Sequence, residues 1–352
     1  MKKREFQLKE SLLPAPVNGG FKMEGYWIWC GSVAKEEDGK YHMFASRWSK
    51  KLPMHPGWLL QSEIVRAVSD RPEGPYVYCE TLFPARGPQY WDGRMTHNPH
   101  ITRQGKKWVL YYIGSTHPFE DIRDGETLES DDPRVIVARS NKRIGVAVAD
   151  RLEGPWTRFP QPVMTVRPDC DDNFFVSNPA PCVDENGKVL LMYKYRTYRK
   201  PPYKGFLHGP MKLNVAWADS YMGPYQRKTS SEPLFSEDVI LEDPFIWKEN
   251  GLYRMIAKDM QGNICGERFG GVSALSKDGK QWTLNRGYCA YSRNILWDDG
   301  IERVMGNLDR PFIYFEKGKP RCVFFAVSDG TDGFMNASNT WNMAIPIKDS
   351  FF

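Results

Sequence analysis

The chain has 352 residues, is 41% hydrophobic and 14% aromatic, and carries 48 Lys and Arg against 43 Asp and Glu, a formal net charge of +5. That much apolar and aromatic matter excludes global disorder. The mild positive excess is spread along the chain without a basic block, which argues against a nucleic-acid partner.

Taken in chain order, residues 1–24 read as an N-terminal arm that lies on the last repeat or on a partner subunit. Their charged start, "MKKREFQLKESLLPAP", has no apolar stretch of the kind a secretion signal needs. No run of about 18 apolar residues occurs anywhere, so no membrane partner is expected. The first copy of a repeat follows, "WCGSVAKEEDGKYHMFASRW" (29–48), and then "IVRAVSDRPEGPYVY" (64–78). The second copy is "HNPHITRQGKKWVLYYIGS" (97–115), followed by a long acidic loop (115–135) and "IGVAVADRLEGPWTRF" (144–159). The third is "SNPAPCVDENGKVLLMYKY" (177–195), then a loop rich in Pro, Gly and aromatics (198–210) and "LNVAWADSYMGPYQRK" (213–228). The fourth is "EDPFIWKENGLYRMIAKD" (242–259) with the shorter "GVSALSKDGKQWTL" (271–284), and the fifth is "DRPFIYFEKGKPRCVFFAV" (309–327).

Four copies share a polar pair, a Pro, an apolar strand, a Gly-containing turn and a second apolar strand. Their prolines, Pro99, Pro179, Pro244 and Pro311, are spaced by 80, 65 and 67 residues. The first copy keeps the turn but lacks the Pro. The trailing motif, a strand ending in Asp and then Gly-Pro-aromatic, reads as a third strand, a tight turn and an outer strand. Each unit is thus about four antiparallel strands, and no unit can bury both sheet faces alone. The reading is an all-β, five-bladed β-propeller of four-stranded blades. It forms one domain over 25–348, with blades at approximately 25–85, 92–163, 174–234, 240–290 and 305–348. The recurrence of Asp70, Asp150 and Asp219 in the outer turns marks them as structural.

The seven cysteines are an odd number without a CxxC pair, and several sit inside apolar strands. They read as buried thiols of a reducing compartment rather than disulfides or zinc ligands. The expected location is cytoplasmic as written, or periplasmic or secreted if a leader has been removed.

In a propeller the innermost strands begin around the axis, so residues just before the repeat Pro converge. One ring then holds Cys30, Asn98, Asn178, Asp243 and Arg310. A second, one residue earlier, holds Trp29, His97, Ser177, Glu242 and Asp309. Carboxylates paired across a funnel suit glycosidic hydrolysis, which needs one acid and one base or nucleophile. Trp29 offers a platform for a sugar ring, and Asn98, Asn178, Arg94 and Arg310 offer polar contacts to substrate.

These repeated units resemble the five-bladed propeller glycosidases related to glycoside hydrolase family 43, among them arabinofuranosidases, xylosidases and the more distant anhydrogalactosidases. The resemblance spans roughly residues 25–345. It implies that Glu242, two positions before Pro244, is the general acid. It also shows a departure, because the two Asp positions of the family fall on Asn178 and on Asn98 (or on Cys30 in another register). Asn cannot deprotonate water. Asp243 and Asp309 stand in the right rings to replace them as base or pKa tuner. His97 is a further acid or base candidate, since the anhydrogalactosidase-like relatives use a His as acid. Asp92, just before the second repeat, and Asp171 and Asp172, just before the third, are placed to reach the funnel mouth. Arg94, Arg196, Arg199 and Arg310 hint at an acidic or sulfated sugar.

The leading expectation is an exo-acting glycoside hydrolase that removes a terminal sugar from a plant or algal oligosaccharide, with inversion if the family geometry holds. No cofactor is expected beyond a Ca²⁺ ion that axial Asp and Glu oxygens could hold. Two alternatives stand beside it: a catalytically silent carbohydrate-binding propeller, and a glycoside phosphorylase, for which phosphate would replace the missing base.

Overall fold

Alternating apolar residues in short runs, broken every few residues by Gly turns, leave the chain no periodicity but that of strands. The computed structural model describes residues 7–198, 208–228 and 233–348, and among these the strands form five radially arranged sheets. The first blade comprises β1 (Tyr26–Lys35), β2 (Tyr41–Ser49), β3 (Glu63–Ser69) and β4 (Val77–Phe83) in sequential antiparallel order. The second comprises β5 (Met95–Gln104), β6 (Lys107–Ser115), β7 (Arg143–Ala149) and β8 (Thr157–Arg158). The third comprises β9 (Phe175–Val183), β10 (Val189–Arg196), β11 (Lys212–Ala218) and β12 (Gln226–Arg227). The fourth comprises β13 (Leu241–Glu249), β14 (Leu252–Asp259), β15 (Gly271–Ser276) and β16 (Thr283–Leu284). A small hairpin, β17 (Asn294–Leu296) and β18 (Glu302–Val304), precedes the fifth blade, β19 (Asn307–Glu316), β20 (Lys319–Ser328) and β21 (Thr340–Pro346).

Among the described residues helices are few and short: α1 (Leu8–Ser11), α2 (Met54–Gln61) between β2 and β3, and α3 (Pro133–Ser140) between β6 and β7. None is long and apolar enough to cross a membrane. All seven cysteines are free thiols, and Cys30, Cys182, Cys265 and Cys322 are buried.

The Gly-Pro-aromatic motif has a shared mechanical use. Gly74, Gly154 and Gly223 adopt φ of +89°, +93° and +79°, where a side chain would be strained. The following aromatic then donates back to a carbonyl four residues earlier: Tyr76 Oη to Pro72 O at 2.8 Å, Trp156 Nε1 to Leu152 O at 3.1 Å, Tyr225 Oη to Tyr221 O at 3.3 Å.

The fifth blade has three strands of its own. Its outer edge is met by the N-terminal segment, where Leu13 N donates to Pro346 O at 2.9 Å and Lys348 N to Ser11 O at 2.9 Å. Phe21 and Asn342 exchange backbone bonds at 2.8 and 2.9 Å. The chain's start therefore lies along β21 of its own last blade. Side chains of that strand then reach into the first blade: Thr340 Oγ1 accepts from Ile28 N at 2.9 Å, and Asn342 Oδ1 accepts from Gly31 N at 2.9 Å.

Two acids placed at the funnel mouth by the sequence reading are instead pinned inside blades. Asp92 is buried, accepting from Arg86 Nε at 2.8 Å, Tyr112 Oη at 2.9 Å and Arg158 at 3.4 Å. Asp172 is its counterpart one blade on, with Arg167 Nε at 2.8 Å, Tyr193 Oη at 3.0 Å and Arg227 at 2.7 Å. The same four-residue cluster twice over is a blade-stiffening device. Asp171 is exposed, its backbone carbonyl bonded by Thr197 Oγ1.

Candidate active site

Each innermost strand carries a bulge at one height. The ladder slips between Trp29 and Ser32, His97 and His100, Glu242 and Phe245, and Asp309 and Phe312, and opposite Met192 and Lys194 for β9. The first bulge residue is left-handed in every blade: Cys30, Asn98, Asn178, Asp243 and Arg310, at φ of 56°, 55°, 50°, 56° and 52°. The second is Pro in four of them, which a bulge tolerates because no ladder donor is needed there. Asn and Asp accept left-handed backbone more readily than most residues. The polar-Pro repeat is thus a bulge signature, and the bulge turns each side chain toward the axis.

The five side chains form a hydrogen-bonded floor. Cys30 Sγ donates to Asn98 Oδ1 at 2.7 Å, and Asn98 Nδ2 to Asn178 Oδ1 at 2.9 Å. Asn178 Nδ2 donates to Asp243 Oδ1, whose Oδ2 accepts from Arg310 N at 3.2 Å. The Arg310 guanidinium lies 4.0 Å from Asp243 and donates to Pro179 O at 3.3 Å. A calcium cage needs six to eight oxygens. This level offers one carboxylate already paired with a cation, so the donor set does not fit Ca²⁺. The group of three possible metal donors among the described residues, Asp38, His42 and Glu153, lies away from the axis. There Arg66 Nη1 sits 3.2 Å from His42 Nδ1, a cation beside the would-be ligand.

Above the floor stands the second ring, and here the structure adds two lysines. Lys194 lies across the ladder from Ser177, and Lys258 across from Glu242. Lys194 Nζ bonds Glu242 Oε1; Lys258 Nζ sits 3.3 Å from Glu242 Oε2 and 2.6 Å from Asp309 Oδ1. The result is an alternating chain, Lys194–Glu242–Lys258–Asp309, spanning three blades. Burial alone would raise the Glu242 carboxyl, but the two lysines outweigh it and hold the group below the usual carboxylate range. Asp309 goes the other way. Burial raises it, Lys258 opposes, and the neighbouring Asp243 and Glu242 charges add, for a value of about 6. Glu242, held by two ammonium groups, and Asp309, held by one, are therefore tuned apart, the arrangement that separates an acid from a base.

The cavity above this layer has a volume of about 310 Å³ and is lined by Trp29, Trp48, Trp58, His97, Asn98, Asn178, Glu242, Asp243, Asp309 and Arg310, among others. Of the residues expected at the funnel, the structure thus gathers Trp29, His97, Asn98, Asn178, Glu242, Asp243, Asp309 and Arg310 around one axial cavity. Trp29 is mostly covered, with Phe334 edge-on at 6.1 Å. His97 is enclosed: Trp58 stacks on it at 4.7 Å, Nδ1 lies 2.7 Å from Ser62 Oγ, and Nε2 lies 3.7 Å from Cys30 Sγ. Burial, with Arg310, Lys142 and Lys194 adding, pushes its imidazole well below 6.5. His97 is a neutral wall group with both ring nitrogens engaged.

Arg94 is the exception. Its side chain donates to His117 O at 2.9 Å and Phe119 O at 2.7 Å and pairs with Asp121, so it braces the 115–135 loop and does not line the funnel. Arg196 does line it; Arg199 lies outside the described residues. Sequence reasoning missed Lys194, Lys258, Trp58, Arg139 and Lys142. A signal existed for the first two, since a lone Lys inside an apolar strand ("LLMYKY", "MIAKD") is seldom buried without a partner.

No protein-family model matches the sequence, and no curated protein matches it. Solved structures share the fold. A family 117 glycoside hydrolase from the marine bacterium Zobellia galactanivorans superposes with a TM-score of 0.65 at 16% identity, over 98% of this chain and 92% of that one. An α-L-arabinofuranosidase from Lactobacillus brevis gives a TM-score of 0.55 at 13% identity, over 97% and 94%. A GH43_1 enzyme from Xanthomonas citri, solved with xylotriose, gives 0.55 at 14%, over 96% and 91%. The five-bladed propeller is common to all.

Proposed function

We propose that the chain is a glycoside hydrolase acting at the axial funnel, with Asp309 as the proton donor and Glu242 as the carboxylate that acts on water or on the sugar. The observation that carries this reading is the pair of oppositely tuned carboxyls, Asp309 at about 6 and Glu242 held ionised, which share the Lys258 ammonium while Lys194 acts on Glu242. A general acid must carry a proton near the working pH, and its partner must not. The residue at the family acid position, Glu242, is thereby better suited to the anionic role, and its neighbour in the next blade to the acidic one. The proton leaves Asp309 for the glycosidic oxygen as the C–O bond breaks, and returns from water. Asp243 lies below, bonded by Asn178 and Arg310, and its part is to keep negative charge beside Asp309. The aromatic walls are those of a carbohydrate site. A cavity of about 310 Å³ is at the small end of ligand pockets, which favours exo action on a terminal residue.

The structural neighbours support the hydrolase class: the proteins named above are glycoside hydrolases, and one was solved with a xylo-oligosaccharide. The test is sugar release from a panel of plant and algal oligosaccharides, without added phosphate. Release by the wild type, reduced about 10²–10⁴-fold in Asp309→Asn and in Glu242→Gln, supports the assignment. Binding of glycans with no release from any of them would leave a carbohydrate-binding propeller instead.

A further inference from the structure

Four carboxylates line the funnel and four cations answer them. Glu242 pairs with Lys194, Asp309 with Lys258, Asp243 with Arg310, and Asp332 with Arg268 at 2.8 Å. Two further cations line the same cavity beside α3 and have no carboxylate partner among the described residues: Arg139, in the last turn of the helix, and Lys142, just past its end. Lys142 is 2% exposed, and its ammonium lies over two aromatic faces, Phe175 at 3.7 Å and Trp58 at 5.2 Å. A buried ammonium held against ring faces, with no ion-pair partner among the described residues, is an expensive arrangement that an anion would relieve.

A second observation concerns His55. Trp58 Nε1 donates to its Nδ1 at 3.1 Å, so the neutral imidazole carries its proton on Nε2. That Nε2 lies 3.4 Å from Arg139 Nη2, which is also a donor. Two N–H groups thus converge with no acceptor between them. Burial, with Arg139 and Lys142 adding, pushes the imidazole down to about 3, so it is neutral. Burial and neighbouring cations also push Arg139 down to about 10 and Lys142 well below its ordinary value, the mark of a pocket short of negative charge.

We infer that Arg139, Lys142 and the Nε2–H of His55 form an oxyanion subsite, which binds a carboxylate, sulfate or phosphate group beside the Glu242–Asp309 pair. A planar guanidinium and a point ammonium lining one cavity suit an oxyanion better than a sugar hydroxyl. This inference rests on the carbohydrate reading for its biological sense, though not for its binding chemistry. The oxyanion is either a substituent of the sugar itself, a uronate or sulfate ester, or free inorganic phosphate entering as co-substrate.

The experiment is calorimetric titration of the full chain with galacturonate, inorganic sulfate and inorganic phosphate, with galactose as the neutral control, repeated on Lys142→Met and Arg139→Gln. The expected result is binding of at least one anionic probe, no comparable binding of galactose, and a loss of about tenfold or more in each variant. Thermal unfolding of both variants checks that they are folded, and Arg139→Gln, at a half-buried helix end, stands if Lys142→Met does not. Equal affinity in wild type and folded variants, or no binding of any anionic probe, overturns the subsite. Release assays with and without phosphate separate the sources: phosphate-dependent release assigns the site to phosphate, and phosphate-independent release confined to uronate or sulfated substrates assigns it to the sugar. Asp309→Asn keeps anion binding while losing turnover, so failure of the hydrolase reading and failure of the subsite are read on different axes.

Discussion

At the scale of single residues, the chemistry proposed for the funnel turns on Lys258. Its ammonium touches both carboxyls that matter, Glu242 at 3.3 Å and Asp309 at 2.6 Å. It lowers both, and burial with the other acids raises Asp309 back to about 6. The pH profile follows with a definite sign. Asp309 must be protonated to act as acid, so kcat/KM falls as pH rises through about 6. Glu242 must be ionised, and its carboxyl is held below the ordinary range, so the acid limb lies below about 4.3. Lys258→Met removes a charge that lowers both groups, and both limbs then move to higher pH. A pH–rate profile of the variant checks this; an alkaline limb that stays put or moves down would mean that Asp309 is not the acid. None of this tuning was legible in the sequence, because Lys194 reaches Glu242, and Lys258 reaches Asp309, across blade boundaries that only the closed fold creates.

At the scale of the element, the innermost strand is the unit that repeats, and its bulge explains both what the sequence disclosed and what it hid. The polar-Pro pair disclosed the ring: Asn98-Pro99, Asn178-Pro179, Asp243-Pro244 and Arg310-Pro311 all occupy the two bulge positions. The missing Pro of the first copy has a physical cause. Gly31 donates its N–H to Asn342 Oδ1 at 2.9 Å, a bond Pro cannot make, and a Cβ there would meet the Asn342 amide at 2.8 Å. What position alone could not tell was which acids face the axis and which the blade. Asp92 and Asp172 stand just before a repeat as convincingly as Glu242 does, yet their partners come from strands β6, β8, β10 and β12 and from connecting turns, and those pairings are nonlocal. The difference is testable. Asp172→Ala leaves the Arg227 and Arg167 guanidinium groups without their buried partner and should cost about 3–5 kcal/mol in denaturant unfolding. Its KM should stay near the wild-type value. A variant with wild-type stability and lost turnover would instead return Asp172 to the list of functional acids.

At the scale of the whole molecule, a propeller must close its circle, and here the closing element comes from the far end of the chain. The last blade supplies β19 to β21, and the N-terminal segment runs along the outer edge of β21 through Leu13, Phe21 and Ser11. Without it, β21 would present a free edge of backbone donors and acceptors, a template for pairing with another chain. The segment also buries side chains: Leu8 is 2% and Phe21 1% exposed, both within the largest core cluster. Each such side chain contributes roughly 1.5–3 kcal/mol. Asn342 lies at the centre of this seam. It exchanges backbone bonds with Phe21 on one side and holds Gly31 of the first blade through its amide. The arm and the first blade are therefore fastened to the same strand, and loosening one loosens the other. Deleting residues up to Phe21 should lower the denaturant midpoint and lead to self-association through the bared edge. A peptide of residues 7–21 added in trans should raise the midpoint again, since it restores both the strand pairing and the buried side chains. An unchanged midpoint in the truncated chain would show that the seam is held by Thr340 and Asn342 alone. Because Asp309 is carried by β19 of this blade, the same titration followed by turnover would report whether closing the circle also sets the acid in place.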